Sequence, residues 1–260
     1  MNILDKIISR KREELLIAKQ QVTIDDLMRR PLFDRTCYNL RDSVLDPQRT
    51  GIIAEYKRAS PSKGVINDQV TVEEVTRGYA EAGASAISVL TDRDFFKGSL
   101  QDLIKARETV NVPLLRKDFI IDEYQIAEAK AYGADIILLI AAVLNNEEVE
   151  SLAKYAKNLG LNVLLEVHNQ QELETNLFDT VDAIGVNNRN LKDFTVSIDH
   201  SLALVNRIPE SFVKVSESGI SDPLVIKQLK KAGFQAFLIG ENFMKTTDPS
   251  ASIKQFVNEL

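Results

Sequence analysis

Ile52-Ile53-Ala54-Glu55-Tyr56-Lys57 is an apolar run that ends on charge, and a polar loop follows it at Ser60-Pro61-Ser62-Lys63-Gly64. The pattern recurs along the chain. Pro113-Leu114-Leu115 runs into Arg116-Lys117-Asp118, and Val163-Leu164-Leu165 ends at Glu166. Ala183-Ile184-Gly185-Val186 ends at Asn187-Asn188-Arg189, Val213-Lys214-Val215 reaches Ser216-Glu217-Ser218-Gly219, and Ala236-Phe237-Leu238-Ile239 stops at Gly240. A buried strand has no packing reason to finish on Lys or Glu, because an unpaired buried charge is costly. Such endings make sense when all strands point one way and their carboxyl ends open onto one shared pocket.

Strand-like runs begin near residues 52, 86, 113, 135, 162, 182, 212 and 236, with helical periodicity between them. One helix is bounded by Ser221 or Asp222 as N-cap, Pro223 in its first turn and Gly233 at its end. Gly83, Gly133, Gly160 and Gly233 each precede a strand by two or three residues, the place of a left-handed C-cap. Eight such units predict an α/β fold, a (β/α)₈ TIM barrel with its active site at the C-terminal ends of the strands. The alternative is a doubly wound open sheet, which usually carries a Gly-rich dinucleotide turn. No G-x-G-x-x-G or Walker A pattern occurs.

Residues 1–48 are expected to form a helical extension packed on a barrel of residues 49–260, the whole making a single domain. The extension holds an amphipathic helix (Ile3, Leu4, Ile7, Ile8, then Leu15) and a short second helix from Thr23 to Arg29. Pro31 and Pro47 bracket what reads as an irregular connection. Whether the extension caps the strand ends or covers the barrel floor is open at this level. The eight units account for the chain up to Leu260, so no second catalytic domain is expected.

At 260 residues, 44% hydrophobic and 27% charged, the composition is that of a soluble globular protein. A formal charge of −6 argues against nucleic acid or an anionic membrane as the main partner, though not against a small anionic substrate. One cysteine, Cys37, excludes an intrachain disulfide and fits a reducing cytosol; it lies before the first strand and reads as inert. The charge run from Arg10 to Glu14 breaks the N-terminal apolar stretch that a signal peptide needs. A cytoplasmic location is expected.

Glu55 and Lys57 are two apart on a strand and share a face. With Lys117 and Glu166 at two other strand ends they make an acid/base set, since pairing and burial move pKa values toward neutrality. A ring of salt bridges that only plugs the barrel remains the alternative. Ser218-Gly219 and Gly240-Glu241 sit where barrels often hold phosphate, and equally where glycine simply permits a turn. The Glu241 carboxylate would repel phosphate unless it points away. The Ser60–Gly64 loop reads either as a cover for a ligand or as a surface turn. Phe95, Phe96, Phe119 and Leu138 line an aromatic-sized pocket or belong to the core. His168 and His200 lack neighbours at metal-ligand spacing, so no metal is expected, and His168 reads as a loop or supporting residue. Asp92 and Asp94 read as solvated loop carboxylates.

Taken in order, IAEYKRASPSKG, RKDFIID, LLEV, GVNNRNL, SESGIS and LIGE resemble the indole-3-glycerol phosphate synthase family across essentially the whole chain. The resemblance implies closure of 1-(2-carboxyphenylamino)-1-deoxyribulose 5-phosphate to indole-3-glycerol phosphate, with loss of CO₂ and water, in tryptophan biosynthesis. It also implies no cofactor or metal, a phosphorylated small-molecule substrate as partner, no nucleic acid, no membrane, and a monomer or weak homodimer. By the same resemblance Lys117 is the general acid and Glu166 the carboxylate of later proton transfer. Lys57, held by Glu55, meets the substrate carboxylate, and Asn187 and Ser218 join the catalytic set. Ser60, Arg189, Gly219, Gly240 and Glu241 would bind substrate, with the aromatic ring against Phe96, Phe119, Leu138 and Leu191. Some relatives carry Ser where this chain has Glu241, which leaves only the backbone contact there. A phosphoribosylanthranilate isomerase-like enzyme would want Cys at the first strand end and Asp at the sixth, where this chain has Lys57 and Asn187. A non-catalytic phosphate-binding barrel would not need Lys57, Lys117 and Glu166 together.

Overall fold

A computed structural model of the chain describes residues 3–190 and 195–260. Its strands are β1 (Ile52–Tyr56), β2 (Ala59–Ser60), β3 (Gly64–Val65), β4 (Ala86–Leu90), β5 (Leu114–Lys117), β6 (Ile136–Ile140), β7 (Asn162–Val167), β8 (Ala183–Asn187), β9 (Val213–Glu217) and β10 (Ala236–Ile239). The helices are α1 (Ile3–Gln21), α2 (Ile24–Met28), α3 (Leu40–Leu45), α4 (Val72–Glu81), α5 (Leu100–Thr109), α6 (Glu123–Ala131), α7 (Asn146–Asn158), α8 (Gln170–Glu174), α9 (Asp199–Leu204), α10 (Pro223–Ala232), α11 (Glu241–Met244) and α12 (Pro249–Asn258).

Eight strands close into a parallel barrel in the order β1-β10-β9-β8-β7-β6-β5-β4, as the spacing predicts, and β2 and β3 form a small antiparallel hairpin beside it. Each barrel strand begins within one residue of its expected start. Parallel strands buried on both faces read as nearly continuous apolar runs, which explains how visible they are in the sequence. The interior takes alternate residues: Ile53, Ala86, Leu115, Leu138, Leu164, Val215 and Leu238 pack against one another inside. The other face packs on the helices, as with Ile52, Ala54, Ile87 and Phe237. Asp222 caps α10 through Leu224 N–H, and Gly233 closes it with φ of 113°. Gly83, Gly133 and Gly160 also lie in the left-handed region.

The extension does both jobs left open above. Helix α1 crosses the mouth: Lys11 Nζ reaches Asp92 at 2.9 Å and Asp118 at 3.0 Å, just beyond the ends of β4 and β5. Helix α3 plugs the floor, where Leu40 and Val44 join the interior cluster and Leu40 N–H donates to Asn162 Oδ1 at 3.2 Å. That helix corrects the irregular connection expected between Pro31 and Pro47. Its signal is short: Asn39 as N-cap, then two apolar residues four apart. Below the floor, buried Asp135 accepts from Arg35, Arg107 and the backbone N–H groups of Tyr38 and Leu114. Cys37 lies on this side, where Lys130 Nζ donates to its sulfur at 3.1 Å.

Candidate active site

The same alternation that fills the barrel also loads its mouth. On four of the strands, the next inward position above the apolar layer is charged: Ile53 is followed by Glu55, Leu115 by Lys117, Leu164 by Glu166, and Val215 by Glu217. Lys57 follows Glu55 one step further, past the end of β1, and Asn187 ends β8.

These side chains meet. Lys57 Nζ lies 2.7 Å from Glu55 Oε1. Lys117 Nζ bridges two carboxylates, Glu217 Oε2 at 2.9 Å and Glu166 Oε2 at 3.1 Å. Asn187 Nδ2 donates to Glu166 Oε1 at 3.0 Å, and Arg189 N–H donates to Asn187 Oδ1 at 3.0 Å. His168 Nε2 stands 3.4 Å from Glu166 Oε1, which gives the histidine a supporting place beside the site.

Burial works against the Lys117 ammonium, but Glu217, Glu166 and Glu55 outweigh it and hold its pKa far above the ordinary lysine value. Glu166 is likewise opposed by burial, yet Lys117 and His168 pull it down to about 2. Glu217 goes the other way: burial, reinforced by Glu166 and Glu55, overcomes Lys117 and pushes it up to about 7. At neutral pH the lysine is a loaded acid, Glu166 a free base, and Glu217 is poised between its two forms.

Glu217 is the functional residue that sequence reasoning missed. It stands in the Ser216-Glu217-Ser218-Gly219 ending, where the Ser218-Gly219 turn by itself accounts for a polar strand end. The available signal was inward register, since Val213, Val215 and Glu217 share one face. Gly185 makes room for it, because a Cβ there would collide with the Glu217 carboxylate. Gly240 does the same for Glu55, whose Oε1 would lie 2.5 Å from an added Cβ.

Two adjoining cavities share Glu55, Lys57, Arg189, Ser218 and Leu238. The first, about 340 Å³, is polar; Lys63, Arg189, Lys245, Gly219, Gly240 and Glu241 are in its wall. There Ser218 and Gly219 adopt φ of 67° and 76° in succession, and Asn188 Nδ2 fixes the turn by donating to the Ser218 carbonyl at 3.1 Å. A non-glycine residue held left-handed at a cavity wall is backbone strain kept at a functional place. The second cavity, about 190 Å³, is apolar on one side, with Phe96, Phe119, Leu138 and Leu4 of α1, and lined by Lys117, Glu166, Asn187 and Glu217 on the other. The Phe96 and Phe119 rings are 6.1 Å apart between centroids.

The structure thus gathers Glu55, Lys57, Lys117, Glu166, Asn187, Arg189, Ser218, Gly219, Gly240, Glu241, Phe96, Phe119 and Leu138 around one mouth. It does not bring Ser60 there: Ser60 is in β2, 3.4 Å from Ser62 Oγ, and Lys63 of the same loop lines the cavity instead. Leu191 lies outside the described residues. The Glu241 carboxylate turns into the polar cavity, 3.5 Å from Lys63 Nζ and 3.8 Å from Arg189 Nη2. Asp92 is not the solvated loop carboxylate expected: it is buried, with Lys11 of α1 at 2.9 Å, whereas Asp94 is an exposed loop carboxylate that Arg10 of α1 meets at 2.7 Å. Among the described residues no group of three His, Cys, Asp or Glu side chains is placed to hold a metal ion.

Comparison with known proteins bears on the family and the fold. A family model described as indole-3-glycerol phosphate synthase matches residues 4–256. An indole-3-glycerol phosphate synthase of Bacteroides thetaiotaomicron is 47% identical over 259 residues, covering 100% of this chain and 99% of the relative. Another, from a Polaromonas species, is 43% identical over 98% of this chain and 97% of its own. Among solved structures, 3-hexulose-6-phosphate synthase from Salmonella typhimurium aligns with a TM-score of 0.62 at 14% identity, over 80% of this chain and 96% of that one. That last likeness concerns the fold alone.

Proposed function

The chain belongs to the indole-3-glycerol phosphate synthase family, carboxy-lyases of tryptophan biosynthesis, and from that premise we propose how its residues divide the reaction. The substrate phosphate sits in the polar cavity against Gly219 and Gly240, countered by Lys63, Arg189 and Lys245. The aromatic ring lies against Phe96, Phe119 and Leu138, which places the ribulose carbonyl near Lys117. Glycine at two walls lets backbone approach the anion closely.

Ring closure disrupts aromatic conjugation, so activation of the carbonyl and enforced proximity carry this step. Lys117 gives its proton to the carbonyl oxygen as the ring carbon attacks. The alkoxide that would otherwise form is a far stronger base than an amine, so even a strongly held ammonium is acid enough. CO₂ then leaves and aromaticity returns. The new hydroxyl departs as water with a proton from Lys57, which Glu55 holds in place and which also pairs with the substrate carboxylate. Glu166, kept ionised and oriented by Asn187, takes the C–H proton that completes the indole. Ser218 shapes the junction of the two cavities.

The observation that carries this reading is the placement of Lys117 between Glu166 and Glu217, in the wall of an aromatic-lined cavity that adjoins the polar one holding Lys63, Arg189 and Lys245. Residues 1–48 and 49–260 act as one domain in this reading, because α1 and α3 supply the lid and the floor. The chain works as a monomer or weak homodimer in the cytoplasm. A single cysteine suits a reducing compartment, and no helix of the described residues is long and apolar enough to cross a membrane. The test is to supply the carboxyphenylamino-deoxyribulose phosphate and follow indole fluorescence. Absence of product at micromolar enzyme, roughly the upper range for a working assay, overturns the reading.

A further inference from the structure

Asn187 and Asn188 are neighbours that serve different places. Asn187 turns into the mouth and holds Glu166. Asn188 turns away from it: the residue is fully buried and lines neither mouth cavity. Its amide is engaged at both ends. Nδ2 donates to Ser216 Oγ at 3.0 Å and to the Ser218 carbonyl at 3.1 Å, while Oδ1 accepts from Ser201 N–H at 3.1 Å. These partners fix which way the amide points, since a backbone N–H can only donate and a carbonyl can only accept. Ser201 and Ser216 are themselves fully buried, with their hydroxyl oxygens 2.8 Å apart.

The cluster joins three stretches of chain that bear on the polar cavity. The first is the turn after β9, where Ser218 and Gly219 are left-handed in succession, with φ of 67° and 76°. Glycine reaches that region freely, but the Cβ of a serine disfavours it, so a contact has to hold Ser218 there. The second is the β8 loop. Asn188 N–H donates to the Glu217 carbonyl at 2.9 Å, and the Asn188 carbonyl accepts from Ser197 N–H at 3.1 Å. Between these bonds Arg189 and Val196 face each other across a β-bridge. Val196 leans on Gly219, where an added Cβ would lie 2.5 Å from its Cγ1. The third is α9, which carries Ser201.

We infer that Asn188 is a positioning residue for the phosphate end of the substrate: it holds Ser218 left-handed, so that Gly219 and Arg189 face the anion together. This rests on the assignment of the polar cavity to phosphate. Asn188 itself touches no substrate, and the bonds it makes are remote from the carbonyl and the C–H that react. Losing them weakens ground state and transition state alike, which raises KM and spares kcat.

The experiment measures kcat and KM for the substrate, and calorimetric binding of inorganic phosphate, in the full chain and in Asn188→Ala. Phosphate affinity is expected to fall, and KM to rise, by roughly tenfold, with kcat within about threefold of the parent. Ser218→Gly is then added to each protein. Glycine takes the left-handed conformation unaided, so it recovers most of the lost KM in the Asn188→Ala background and gives no such gain in the parent. A general loosening of the fold would not be repaired at that one backbone position. Asn188→Ser leaves one hydroxyl for the three partners; it shows a smaller shift of the same kind and serves if Asn188→Ala does not fold. A fall in kcat with KM unchanged, or no recovery by Ser218→Gly, overturns the positioning role. Arg189→Ala separates the two levels. Unchanged phosphate binding in that variant would overturn the assignment of the cavity, while the response of KM to Ser218→Gly still decides whether Asn188 holds the turn.

Discussion

Glu217 Oε2 lies 2.9 Å from Lys117 Nζ, nearer than Glu166 Oε2 at 3.1 Å, so the lysine that the sequence pairs with Glu166 is shared with a second buried carboxylate. Three carboxylates, Glu55, Glu166 and Glu217, share the two lysines Lys57 and Lys117. Burial, reinforced by the neighbouring carboxylates Glu166 and Glu55, lets Glu217 keep a proton up to about 7. The site holds this excess because an anionic substrate needs the lysines charged and the base free at the same pH.

The first expected outcome concerns Glu217→Gln. Above about 7 the ionised Glu217 repels an anionic substrate, so kcat/KM of the parent protein falls as pH rises through that value. The variant, whose side chain mimics the protonated form, lacks this limb and keeps its kcat/KM as pH rises. Stability moves the other way. The native pKa is raised, so stability is full below the unfolded value of about 4.3 and is lost as pH climbs through the native one. Glu217→Gln therefore has the higher Tm, by more at pH near 8 than near 5. Thermal melts and pH–rate profiles of both proteins check this; an unchanged profile in the variant counts against it.

Lys117→Ala removes the acid without touching the polar cavity. Turnover is expected to drop by about two orders of magnitude or more. Binding of inorganic phosphate, measured calorimetrically, should survive. A kcat near that of the parent protein would take Lys117 out of its role.

How much of this was legible in the sequence depends on how local each signal is. The barrel strands announced themselves because full burial on both faces leaves a continuous apolar run. Glu55, Lys57, Lys117 and Glu166 were legible because charge at the end of such a run is anomalous. Glu217 has the same anomaly, but the adjacent Ser218-Gly219 turn offered a simpler explanation for a polar ending. Only contact with Lys117 on another strand shows its role. Helix α3 was hidden for a different reason: six residues carry little propensity signal, and its stability comes from Leu40 and Val44 packing into the barrel floor. The Lys11 anchor could not be read at all, since Asp92 and Asp118 are brought to α1 only by barrel closure.

That anchor leads to a stability prediction. Lys11 is buried among Asp92, Asp118 and Glu14, at 2.9, 3.0 and 2.8 Å. Removing one partner of a buried ion pair leaves charge uncompensated, typically at a cost of about 3–5 kcal/mol. Lys11→Met is therefore expected to lower stability by roughly 3 kcal/mol in denaturant titrations at neutral pH. Burial opposes the ionised Asp118, but Lys11 and Arg116 hold its carboxyl well below the usual range. Its contribution is thus present above the unfolded pKa of about 3.9 and lost as pH falls toward the native value. The gap between parent and variant should narrow on acidification. A gap that widens below about pH 4 would contradict the pairing.

The last prediction turns on Glu241, which the sequence made awkward. Its carboxylate stands in the cavity assigned to phosphate, 3.5 Å from Lys63 and 3.8 Å from Arg189. Both cations are those a phosphate would use, so the side chain acts as a resident anion that the ligand must displace. Glu241→Gln removes the competing charge while keeping the backbone N–H and the side-chain length. Inorganic phosphate should then bind roughly three- to tenfold more tightly, and KM for the substrate should fall with it. The groups are partly exposed, so the gain should shrink as salt is raised. Titration of phosphate into both proteins at low and high ionic strength decides the matter. Equal or weaker binding in the variant would mean that Glu241 supports the anion site instead of competing for it.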